Sequence, residues 1–135
     1  MAKKRIATFL GTQKGLSIIG SHCYAYSGLS GSSTTEKNVL EFNSGDDYIV
    51  GAFTFTGGAT LTTVTSGNTS VWRITLNGEL IALVKTETTN EDMPSSEIFK
   101  IVLPPLTYIQ IGLISDQNDG AMFNSASLTG RVYDA

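Results

Sequence analysis

Cysteine, histidine and proline are scarce in this 135-residue chain, which holds one cysteine, one histidine and three prolines. A single thiol, Cys23, permits no intrachain disulfide and implies no secretory compartment. One histidine and one cysteine also fall short of the three or four ligands a zinc site requires, unless carboxylates or other copies are recruited. Charge is thin as well: 16% of residues are charged, the net charge is -3 and the isoelectric point is near 5.0. A nucleic-acid partner is therefore not expected, because its footprint is a basic patch. The only basic cluster, Lys3, Lys4 and Arg5, reads as a solvated end before it reads as a phosphate-binding arm. Long apolar runs are missing too. Nothing approaches the ~18 residues of a membrane helix, so no membrane association is expected. The opening MAKKRIATFLGTQKG breaks its apolar stretch at Gly11, short of a signal-peptide core. Asn68-Thr69-Ser70 matches a glycosylation sequon, which without a secretion signal reads as chance.

What is abundant is glycine, with 14 residues, together with serine and threonine, and almost no segment repeats apolar residues at helical spacing. This points to an all-β protein, an antiparallel β-sandwich of jelly-roll type forming one domain over residues 1–135. Candidate strands recur about every ten residues: 6–10, 16–19, 22–27, 38–42, 48–56, 60–65, 71–76, 79–84, 98–103, 107–114 and 127–133. Segments 28–37, 86–96 and 116–125 read as loops.

Three stretches carry the detail. In VWRITLNGELIALV, Asn77-Gly78 supplies the positive φ angles of a two-residue hairpin turn. A regular ladder then sets Ile74 against Ile81 and Trp72 against Leu83 on the core side. It sets Thr75 against Leu80, Arg73 against Ala82 and Val71 against Val84 on the other side, which is apolar enough to need cover. Tyr48 to Thr56 alternates Tyr48, Val50, Ala52 and Thr54 with Ile49, Gly51, Phe53 and Phe55, and residues 128–133 alternate likewise. In LPPLTYIQIGLIS, Pro104 and Pro105 end one strand and force a corner. The next strand then sends Thr107, Ile109, Ile111 and Leu113 into the core as a central strand.

No constellation of residues carries catalysis. His22 and Cys23 are neighbours on a strand, so their side chains project to opposite faces and cannot act as base and nucleophile. The acid pairs Asp46-Asp47, Glu91-Asp92 and Asp116/Asp119 fall in turn sequences. Asp116, Asn118, Asp119 and Gly120 resemble a fragment of a calcium loop but lack its full spacing and terminal Glu, and the turn reading is preferred. There is no nucleophile elbow, P-loop or dinucleotide fingerprint. Catalytic, cofactor and metal residues are therefore none, and the chain is expected not to be an enzyme. Tyr24, Tyr26, Tyr48, Trp72, Tyr108 and Tyr133 would form a sugar platform if several lined one exposed face, so a glycan is kept as the alternative partner.

The segments LGTQKGLSIIGSHCYAYSG, LEFNSGDDYIVGAFTFTG, LNGELIAL, LPPLTYIQIGLIS and SLTGRVYDA together resemble small virion-associated proteins of tailed, marine-type bacteriophages. The resemblance spans most of the chain. It implies a jelly-roll-like sandwich that decorates or cements a capsid and is located in the virion. The partners it implies are the major capsid protein or other virion proteins and further copies of the chain, with a trimer favoured. It brings no catalytic or ligand residues. The segment Ala2 to Arg5 is expected to meet an acidic capsid surface, and loop 86–96 to face solvent.

Overall fold

The Asn77-Gly78 turn forms with φ of 50° and 84° and joins strand β7 (Asn68–Leu76) to β8 (Glu79–Thr88). This hairpin is the innermost of four nested pairings. Outside it, β6 (Tyr48–Ala59) pairs with β9 (Ser95–Leu103), then β5 (Lys37–Asn43) with β10 (Tyr108–Ser115), then β3 (His22–Tyr26) with β11 (Asp119–Tyr133), all antiparallel. Nested pairs of this kind are one long hairpin rolled up on itself. Rolling it brings β11 beside β6 and β10 beside β7, giving the sheet orders β3-β11-β6-β9 and β5-β10-β7-β8. That is the connectivity of an eight-stranded jelly roll. The first sheet is extended beyond β3 by β2 (Ser17–Ile19) and β1 (Arg5–Ile6), and β4 (Ser30–Ser32) pairs with β11, for seven strands in all. The computed structural model describes residues 5–6, 15–59, 68–88 and 95–134. The expected strand 60–65, most of 6–10, and the acid pair Glu91-Asp92 lie outside the described residues.

Alternation decides which side chains go between the sheets. Ile49, Phe53 and Phe55 from β6, Trp72 and Ile74 from β7, and Ile109, Ile111 and Leu113 from β10 are fully buried, as their period-two pattern requires. Phe55 stacks on Trp72 across the two layers at 5.0 Å and on Phe53 within its own strand at 5.8 Å. Burying each such side chain contributes about 1.5–3 kcal/mol. The central position expected for β10 is observed, with β5 on one side and β7 on the other.

Three expectations are corrected. First, the β7–β8 ladder is not regular: Ile74 pairs with Ala82, Arg73 with Leu83 and Trp72 with Val84, because a bulge between Ile74 and Thr75 leaves Ile81 as an extra residue. A regular ladder would have turned Lys85 inward opposite Ser70. The bulge reverses the parity, so Thr86 is buried while Lys85 and Glu87 face solvent and Leu83 is turned outward. Second, the loop expected over residues 28–37 contains β4, held by Asn124, whose amide donates to Ser30 O at 3.2 Å and Ser32 Oγ at 3.1 Å. Third, the loops expected at 86–96 and 116–125 are shorter, since β8 runs to Thr88, β9 begins at Ser95 and β11 begins at Asp119.

The double-proline corner forms as expected, but it turns through Leu106 at φ 56°. The corner is tied to the 43–47 turn. Leu106 N donates to Gly45 O at 2.6 Å, Ser44 Oγ donates to Pro104 O at 2.7 Å, and Thr107 N donates to Ser44 Oγ at 2.9 Å.

Candidate interaction surfaces

The residues weighed for chemistry are dispersed by the fold. His22 is exposed on the outer face of the seven-stranded sheet, while Cys23 is buried, and burial pushes its thiol up to about 11. Asp46 and Asp47 lie in the turn between β5 and β6, with Asp47 buried. Asp116 Oδ1 accepts the Thr69 N–H at 3.2 Å, and Asn118 Oδ1 accepts from Thr34 N at 2.8 Å and Thr34 Oγ1 at 3.1 Å. These oxygens tie residues 116–118 to β7 and to Thr34, contacts across the fold where local backbone bonds were expected. Trp72 is fully buried between the sheets, so a sugar platform that includes it is ruled out.

The tyrosines behave differently. Tyr24, Tyr26, Tyr48 and Tyr133 all project from the outer face of the seven-stranded sheet. Tyr108 projects from the other sheet, where its hydroxyl donates to Glu41 Oε1 at 2.8 Å. Gln110 Nε2 and Asn38 Nδ2 donate to the same oxygen at 2.9 and 3.4 Å, which is how a carboxylate only 8% exposed sits on a sheet surface. Desolvation, followed by the hydrogen bond and charge of Glu41, raises the Tyr108 phenol above its ordinary value. Nearby, Glu36 lies over Gly112 to pair with Arg73 at 2.5 Å, so the one charged residue of β7 is matched by a side chain from outside the sheet.

Two surfaces stand out among the described residues, and they meet at β6, where Val50 of the first is registered against Arg131 of the second. The first is the flank where β8 and β9, the edge strands of the two sheets, run side by side. Leu83 (62% exposed), Leu80 and Ile81 project from β8, Ile98 (66%) and Val102 from β9, and Val50 stands beside Val102 in the register. Among the described residues β8 and β9 each have one strand neighbour in their sheet, and large aliphatics at this exposure along such edges are what an assembling surface presents. Ala52 leaves a shallow depression of ≈ 430 Å³ beside Val50, Val102 and Lys100.

The second surface is the outward side of β3 and β11. Three cross-strand pairs are stacked along it: His22 with Arg131, Tyr24 with Thr129, and Tyr26 with Ser127. The rings of Tyr24 and Tyr26 lie 5.3 Å apart with a 34° tilt, and a second depression of ≈ 430 Å³ opens between these rows. The alternation of each strand was legible in sequence. The pairing of β3 with β11, which is what makes a surface of them, joins residues about a hundred positions apart and leaves no local signal.

No family model matches the sequence, and no curated protein matches it. Among solved structures, the chain is similar to the infectious bursal disease virus VP2 subviral particle, with a TM-score of 0.49 and 12% identity over 85% of this chain and 34% of that one. It is also similar to dimeric latent PorU from Porphyromonas gingivalis, with a TM-score of 0.42 and 8% identity over 97% of this chain and 15% of that one. The chain thus spans about a third of the first structure and less of the second. Neither likeness bears on function, which rests on the surfaces themselves.

Proposed function

We propose that this protein is a non-catalytic structural component of a virion that works by associating with further copies of itself and with other virion proteins. The observation that carries the reading is the β8/β9 flank, where Leu80, Ile81, Leu83, Ile98 and Val102 lie exposed along two edge strands. A soluble domain of this size gains nothing in stability from such a surface, and a closed ring of copies would bury it. The jelly roll, a fold recurrent in capsid proteins, fits the same reading, as does the sequence resemblance to phage decoration and cement proteins. The fold alone does not assign it, since jelly rolls also serve as lectins. Native mass in solution tests the association: a stable trimer is expected, and a monodisperse monomer at micromolar concentration overturns it. Mass spectrometry of purified particles tests the location, and absence of the protein from them removes the virion role.

A further inference from the structure

We infer that the outward side of β3 and β11 binds a saccharide bearing a carboxylate, through Arg131, His22, Tyr24 and Tyr26. This surface adjoins the β8/β9 flank across β6, but its ligand is read by chemical shifts and the assembly by native mass, so the two can fail separately. Three observations point to the ligand. The first is charge. The protein carries 12 acidic and 9 basic residues. Yet from Ser127 to Tyr133 of β11, and along the β3 and β6 segments registered against it, no described residue is Asp or Glu, while Arg131 is present with His22 opposite it. Arg131 has no ion pair among the described residues, in contrast to Arg73, which Glu36 neutralises on the other sheet. An unpaired guanidinium is a fork with the geometry to take a carboxylate in two parallel hydrogen bonds.

The second observation is the pair of tyrosine rings one row away. Tyr24 and Tyr26, 5.3 Å apart and tilted, offer a two-ring platform of the width of a sugar, whose C–H face packs on aromatic carbon. Thr129, registered against Tyr24 and two residues from Arg131, adds a hydroxyl to the same depression, a donor and acceptor suited to sugar hydroxyls. The third is the lining: Tyr24, Tyr26, Thr129, His22 and Arg131 border one depression of ≈ 430 Å³, so the rings and the guanidinium face the same space. Arg131 sits opposite His22 at one end and the tyrosines continue toward the other, so a bound chain lies along the strands with its carboxylate at the Arg131 end.

The test is titration of the isotopically labelled full chain with a glucuronate-containing hexasaccharide, with neutral maltohexaose and with inorganic phosphate, followed by amide chemical shifts. The expected result is perturbation of 22–26 and 127–131 by the uronate oligomer, with affinity at least about tenfold above the neutral one, a difference of about 1.4 kcal/mol. Arg131→Gln and Tyr24→Ala are each expected to weaken binding about tenfold or more at unchanged melting temperature, both side chains being on the outer face. Equal binding of maltohexaose, the same shifts produced by phosphate alone, shifts confined to other strands, or no shifts at all would each overturn the inference.

Discussion

The indole N–H of Trp72 donates to the Thr86 hydroxyl at 3.0 Å inside the sandwich, joining two residues that a regular β7–β8 ladder would have kept on opposite faces. Extra residue Ile81 makes the contact possible. Thr86→Val keeps the shape and removes the acceptor, stranding a buried donor at a cost of about 1–3 kcal/mol. Trp72→Phe in the same background is expected to cost less than the sum of the two single substitutions, since the donor leaves with the acceptor. Urea unfolding of the two single variants and the double variant reads the coupling, and strict additivity would show that the contact contributes nothing.

Gly51 lies opposite Gly130 where β6 meets β11, and the two backbones approach so closely that a Cβ on Gly51 would lie 2.5 Å from Thr129 O, and one on Gly130 2.6 Å from Val50 O. The obstacle is backbone in both cases and cannot swing aside. Gly51→Ala and Gly130→Ala are each expected to destabilise by about 1–3 kcal/mol or more, the range of overpacked sites. A denaturation midpoint unchanged in either variant would contradict the close approach.

Alternation made β6, β10 and the end of β11 legible from sequence, because one face of each carries a row of large apolar side chains and the other is mixed. Where the expectation failed, the residues carry no such contrast. Leu80, Ile81, Ala82, Leu83 and Val84 are apolar on both parities, so nothing local marks which one bulges. Only the far charges, Lys85 and Glu87, favour the shifted register. Ser30, Gly31 and Ser32 present no apolar face at all, and their pairing depends on Asn124, more than ninety residues away. The candidate surfaces were legible only as scattered exposed residues, because each is assembled by long-range strand pairing.

Leu106 is the least expected conformer among the described residues: an aliphatic residue at φ 56°, 70% exposed, at the third position of a turn led by Pro104 and Pro105. A left-handed backbone costs an L-residue about 1–2 kcal/mol, and asparagine tolerates it better than leucine. Leu106→Asn is expected to raise stability by up to about 1 kcal/mol, and Leu106→Val, with its branched Cβ, to lower it by a similar amount. Thermal unfolding ranks the three proteins, and Val as the most stable would refute the turn geometry.

Cys23 gives the protein an alkaline limit. Burial raises its thiol from 9.0 to about 11, so the folded chain holds a proton that the unfolded chain releases between those values. The unfolded state then binds fewer protons, and stability falls as pH rises. The contribution is complete below pH about 9 and is lost through pH about 11. Tyr108, raised by desolvation and by Glu41, acts in the same direction above the ordinary phenol value. Urea midpoints followed across this range should decline, and Cys23→Ala should flatten the first part of the decline. The same decline in Cys23→Ala as in the unaltered protein would place the thiol at the surface.

The flank can be separated from the fold because its aliphatics contribute little to the core. Leu83 and Ile98 are more than half exposed and stand on different sheets, so lysine at either position meets solvent in the lone chain and is expected to shift its stability by no more than about 0.5 kcal/mol. In an assembly the same lysine would be buried without a partner, which is costly enough to split the complex. Leu83→Lys and Ile98→Lys are therefore expected to lower the native mass toward that of one chain while leaving the melting curve of dilute protein in place. Leu29→Lys, at an exposed loop position away from the flank, serves as the control and should leave the mass unchanged. If Leu29→Lys dissociates the assembly and the flank variants do not, the copies meet elsewhere on the sandwich.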